Sequence, residues 1–188
     1  MRIATFSCIV GLILCAGSPA RAEEPVTVLG LPLGGKFKMP IRQCEIRELG
    51  KDVRSLCWVD RPYVTGGVRL GSISVPGADT RPKWAAFASF DAHVEKDGTL
   101  SKLGVQTFSD GAFDEIVSSI SSRFGKPSDF STGPTTKGAT WNRQDIHIRM
   151  YCGYRGCQVE FQSPAYYAQL QRELAARKAK DAARAISP

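Results

Sequence analysis

Trp84-Ala85-Ala86-Phe87-Ala88-Ser89-Phe90-Asp91-Ala92-His93-Val94-Glu95-Lys96-Asp97-Gly98-Thr99-Leu100-Ser101-Lys102-Leu103-Gly104-Val105-Gln106-Thr107 is the stretch from which the fold is read. Its centre, Lys96-Asp97-Gly98-Thr99, carries the Asp-Gly pair of a tight hairpin turn. The flanking runs alternate apolar and polar positions, the period of a half-buried strand. The pattern predicts a long strand over 84–95, with Phe87, Phe90 and Val94 among its apolar members. A return strand follows over 100–107, with Leu103 and Val105 inward.

Upstream, Val68 to Val75 alternates in the same way and predicts a neighbouring strand. Downstream, Phe113, Ile116, Val117, Ile120 and Phe124 recur at three- and four-residue spacing, which predicts an amphipathic helix. Ser109 or Asp110 is its expected N-cap, and Gly125 with Pro127 ends it. Residues 128–138 read as a loop. Three further strands are expected from Ala139 to Trp141, from Ile146 to Tyr151 and from Gln158 to Gln162. Pro164 suits the first turn of a terminal helix running to about Ala183, whose apolar stripe is limited to Tyr166, Leu170 and Leu174. Nearer the start, Val26 to Leu29 and Ser55 to Val59 read as short strands. Gly30 to Gly35 reads as a break, and Ile41 to Leu49 as a helical turn or two.

The expected fold class is therefore α+β: a largely antiparallel sheet, one packed amphipathic helix, a C-terminal helix and two disulfides. The element order over residues 84–162 resembles that of small exported α/β inhibitor modules. That likeness is in order alone, and fold analogy does not carry function. The chain divides into a signal peptide at 1–22, one α+β domain at 23–174 and a basic helical tail at 175–188.

The signal peptide is read from Met1-Arg2, the apolar run Ile3 to Leu14 and the small-residue ending Ala20-Arg21-Ala22. The apolar run is too short to span a bilayer comfortably, and no later stretch is long enough. A lipid anchor on Cys15 would want a small residue before it, where Leu14 stands. The expected location is the periplasm or the exterior of a bacterial cell. Arg2 and Arg21 leave with the signal, lowering the formal charge of +7 by two. This moderate excess fits ordinary solubility, or attraction to an anionic surface or acidic partner.

Cys8 and Cys15 also leave with the signal; Cys44, Cys57, Cys152 and Cys157 remain. An even number of cysteines in an exported chain reads as a disulfide framework. Pairing of near neighbours is expected, Cys44 with Cys57 and Cys152 with Cys157. The second pair would face each other across a hairpin turned by Gly153-Tyr154-Arg155-Gly156. Neither zinc-ribbon spacing nor a redox C-x-x-C motif is present.

No nucleophile elbow, S-x-x-K, H-E-x-x-H or phosphate-loop motif occurs, so no catalytic residue, metal or cofactor is assigned. His93 and His147, the two histidines, are expected on the solvated face of their strands. Asp91, His93 and Glu95 would share that face, the best metal-like alignment available, but plain solvation on a strand whose other face is core explains it better. Nucleic acid is not an expected partner of an exported chain.

The expected function is that of an envelope binding or accessory protein, of inhibitor or immunity type, whose partner is another envelope protein. A small hydrolase or a structural subunit of an envelope assembly are the alternatives. The binding residues assigned are Tyr154 and Arg155 at the hairpin tip, residue types enriched in binding hot spots. Arg177, Lys178, Lys180 and Arg184 are assigned on the tail, where they could meet an anionic surface. Intact-mass measurement of the exported protein checks the first boundary. A chain starting at Glu23 is expected, and a lipid-bearing chain starting at Cys15 would refute it.

Overall fold

The computed structural model describes residues 25–37, 40–48, 52–109 and 112–186, with backbone alone at 185–186. The signal peptide, its cleavage point, Leu49 and the Asp110 cap lie outside the described residues. The fold is α+β. Among the described residues, the strands and α-helices run β1 (Val26–Val28), β2 (Leu31–Leu33), β3 (Arg42–Gln43), β4 (Cys57–Trp58), β5 (Tyr63–Thr65), β6 (Val68–Ser74), β7 (Ser89–Val94), β8 (Leu100–Gln106), α1 (Phe113–Phe124), β9 (Asp129–Thr132), β10 (Lys137–Asn142), β11 (His147–Gly153), β12 (Gly156–Gln162) and α2 (Pro164–Ile186).

The strands form one sheet with the central order β3-β4-β6-β7-β8-β12-β11-β10-β9; β1, β2 and β5 attach beside it. Pairing is antiparallel except for β3 with β4 and the single contact of β2 with β8. One row of paired residues crosses five strands, Ala92, Leu103, Phe161, Ile148 and Trp141. The next row on the same face is Phe90, Val105, Val159, Met150 and Ala139. All ten side chains are buried. Against them α1 lays Phe113, Ile116 and Ile120, with Val117 and Phe124 at the margin of the core.

Helix α1 begins at Ala112 without a side-chain cap and ends at Gly125, whose positive φ of 80° suits glycine. Ser109 is not the cap. The carbonyl of Gly125 accepts the indole N–H of fully buried Trp141 at 2.9 Å, which ties the helix end to β10.

Three local expectations need correction. The stretch 84–95 is not one strand: Pro82 starts a 3-10 turn at Lys83–Ala85, and β7 begins only at Ser89. Phe87 therefore lies before the sheet, 93% exposed. Leu31 to Leu33 is a strand rather than a break, because Leu29 and Gly30 both take positive φ and turn β1 back onto it. Proline excludes a helix there but is tolerated in a peripheral strand. The loop 128–138 contains β9, an exposed edge strand on β10.

Both disulfides pair near neighbours, Cys44 with Cys57 and Cys152 with Cys157. The first closes a loop holding a 3-10 turn at Ile46–Glu48, together with a small core of Val53 and half-buried Val59. A fork from Arg42 to the Glu48 carboxylate, two contacts of 2.7 Å, ties that turn to β3.

Ile116 is fully buried and Ile120 nearly so. Replacing either by alanine should lower unfolding free energy by roughly 2–5 kcal/mol in chemical denaturation. Val117→Ala, at the margin, should lower it by about 1 kcal/mol or less.

Candidate binding surface

One end of the sheet gathers side chains from four segments. Here β7 starts, β8 ends, and the β11–β12 hairpin turns. Cys152 pairs with Cys157 and Gly153 with Gly156 in the ladder, leaving Tyr154 and Arg155 as the turn. The disulfide crosses directly beneath them, with the two Cα atoms 4.0 Å apart.

The tip is also held from the side. The Thr107 amide donates to the Cys157 carbonyl at 2.8 Å, and the Cys157 amide donates to Thr107 Oγ1 at 3.1 Å. Gly156 has φ +107°, and a Cβ placed there would lie 2.1 Å from the Thr107 carbonyl oxygen. Only glycine allows this approach. It brings the backbone of Phe108 against the hairpin, so the two segments form one rigid platform.

At this end of the sheet Tyr154 is 97% exposed, Phe87 93% and Phe108 73%. An open cleft of about 530 Å³ lies among Lys83, Trp84, Phe87, Thr107, Phe108 and Glu115. The Trp84 indole N–H is buried there, with no hydrogen-bond partner among the described residues. A second cleft, about 350 Å³, borders the other side of the hairpin along Pro134, Thr136, Lys137 and Tyr154. The ammonium of Lys137 stands 5.2 Å from the ring of Phe113. The charged rim is thus Lys83, Lys137 and Arg155 against Glu115, all exposed. Exposed aromatics over open clefts with a basic rim can bind a partner surface.

Tyr154 and Arg155 stand at the hairpin tip. Arg177, Lys178, Lys180 and Arg184 are all exposed on α2, which leaves β12 from the end opposite that tip. Among the described residues no ion pair involves these four cations, and no hydrogen bond or ring contact joins them to the hairpin. Leu174, expected in the apolar stripe, is 40% exposed, and every described side chain from Gln171 to Arg184 is exposed.

Phe87 and Phe108 were missed as surface residues. The apolar run from Trp84 reads as one long strand, and Phe87 falls within it. The nearby Pro82 was the signal that the strand starts later.

The opposite, polar face of the sheet carries the histidines, and neither is simply solvated. His147 is buried and His93 half-buried, because the first turns of α2 cover them. Asp91 and His93 share this face, but a register shift follows His93, so Glu95 does not continue the row. Among the described residues no cluster of three ligating side chains could hold a metal ion. Also among them, no helix is long and apolar enough to cross a membrane. No protein-family model, curated protein or solved structure matches the chain.

Gly156→Ala tests the construction of the platform. It should lower stability by about 1–3 kcal/mol or more, seen as a drop in Tm, because the hairpin must move away from Thr107. Gly30→Ala, at positive φ with open space around it, meets no such steric block and should lower Tm less.

Proposed function

We propose that the protein is an exported binding protein of the cell envelope that engages another protein through the aromatic end of its sheet. The observation that carries this reading is the exposure of Phe87, Phe108 and Tyr154 at one end of the sheet, around the braced hairpin. Each aromatic side chain can bury roughly 150–250 Å². Three of them would supply more than half of the ~800 Å² that one partner contributes to a standard interface. The disulfide and the Thr107–Cys157 hydrogen bonds hold the platform before binding, so little ordering entropy is lost on association. Two disulfides fit an oxidising compartment, which supports export. The basic rim favours a partner surface of acidic character.

A second reading concerns the tail. Four exposed cations on a helix stripped of apolar contacts could hold the protein near an anionic surface. Binding of that kind weakens steeply as salt rises, whereas aromatic burial does not.

The test replaces Phe87, Phe108 and Tyr154 together by serine in the full exported protein. These side chains bury little within the fold, so Tm should stay within a few degrees of the wild type. Affinity for a protein captured from envelope extract by the wild type should fall by about 30-fold or more, the loss of a binding hot spot. Undiminished capture by the variant would refute the aromatic surface. Capture abolished by salt and by deleting residues 175–188 would assign binding to the tail.

A further inference from the structure

Among the described residues, the side chains of α2 are shielded only over its first two turns. Its start is fixed by Ser163, whose amide donates to the Ser101 carbonyl at 2.9 Å. The Ser163 carbonyl accepts the Tyr167 amide at 2.9 Å, and its Oγ accepts the Tyr166 amide at 3.3 Å. The side-chain grip then falls on two ring pairs. Tyr167 stacks on His147 with centroids 3.7 Å apart and planes 16° from parallel. Tyr166 meets His93 edge-on at 5.6 Å. Beyond Leu170 the helix is exposed through Arg184.

We propose that α2 is a pH-released element, docked on the sheet by the neutral forms of His93 and His147 and freed when both are protonated.

The surroundings of each imidazole favour the neutral ring. His93 on β7 faces Lys102 on β8, Glu160 on β12, Asp91 on its own strand and the Tyr166 ring of α2. Glu160 is already committed, accepting from the Lys102 ammonium at 2.6 Å and from the Gln162 amide at 3.2 Å. Asp91 accepts from the Ser72 hydroxyl at 2.9 Å. His147 on β11 faces Arg149 on its own strand, Glu160 on β12 and the Tyr167 ring of α2. Among the described residues, its buried Nδ1 has no partner, nor has Oε1 of Gln162, the residue directly across from it on β12. An imidazolium at this position would carry two N–H donors into a site with no free carboxylate. Stacking on Tyr167 attracts a cation, but burial and Arg149 act against it.

Burial first, then Lys102, lowers the His93 pKa to about 4; burial first, then Arg149, lowers that of His147. A histidine returned to water titrates near 6.5. The docked pKa lies below the released one, so docking is strongest above pH ~6.5 and is lost as pH falls towards the docked value. At pH 5 protonation of His93 alone shifts the equilibrium towards release by roughly 30-fold. His147 adds in the same direction.

With only two histidines in the chain, side-chain NMR titration of the full exported protein reads both sites directly. Between pH 7 and 4.5 the expected result is loss of the Tyr167–His147 ring contact. Amides of Tyr166 to Leu170 should also lose exchange protection, after correction for intrinsic pH dependence. The amides of Leu103 and Val159 in the sheet should keep theirs. In a variant carrying His93→Gln and His147→Gln, protection of the α2 amides should no longer depend on pH over this range. The proposal is overturned if α2 stays protected in the wild type down to pH 4.5. It is equally overturned if both histidines titrate near 6.5 while the helix remains docked. Should the double variant not fold, the wild-type titration decides. None of these readouts depends on the aromatic surface.

Discussion

The register of β8 against its two neighbours governs the two faces of the sheet. Leu103 lies between Ala92 and Phe161, and Lys102, one residue earlier, lies between His93 and Gln162. A slip by one position would put Lys102 into the apolar layer beneath α1 and Leu103 among the polar groups. The sequence pays for this arrangement locally with an irregularity after His93, where Ser101 Oγ donates to the His93 carbonyl at 3.1 Å. Everything functional then follows from which face or end a segment occupies. The apolar face receives α1, the polar face receives the start of α2, and one end is left to carry exposed aromatic residues.

Those parts of the fold that rest on periodicity were legible. Alternation identified β6, β8, β11 and β12, and three-four spacing identified α1, because burial of one face imposes a repeat on the residues themselves. The disulfides were legible for a related reason, since a short hairpin makes flanking cysteines neighbours without further information. What remained hidden depended on contacts distant in sequence. Nothing near His147 announces that Tyr167, twenty residues on, will lie flat over it. Phe87 was hidden by the opposite effect. It stands in an apolar neighbourhood, Trp84 to Phe90, yet a 3-10 turn ahead of β7 directs it outward.

The platform shows how a surface can be found without any catalytic pattern. Tyr154 and Arg155 stood out in the sequence as turn residues between glycines. The structure adds why the turn can carry exposed groups without collapsing onto the sheet. The close approach of Gly156 to Thr107 leaves no space for a side chain, and the disulfide fixes the two strands just below. Large exposed rings on a mobile loop would tend to fold back onto any apolar patch they can reach. Rings on a braced end stay presented, which is the state a binding surface requires. Clustered exposure of this kind marks interaction sites more reliably than single exposed hydrophobics do.

The helix at the other end obeys a different logic. From Gln171 to Arg184 every side chain of the helix is exposed, so its burial against the sheet is confined to contacts in the turns up to Leu170. Those contacts are aromatic and imidazole rings rather than aliphatic chains. An aliphatic grip would hold at any pH, because nothing in it titrates. A grip through two buried imidazoles is conditional, since burial disfavours the charged ring and nearby Lys102 and Arg149 disfavour it further. The same residues that make the polar face polar therefore make the helix's attachment sensitive to acid, whereas α1 is held on the far side by aliphatic and aromatic side chains that do not titrate.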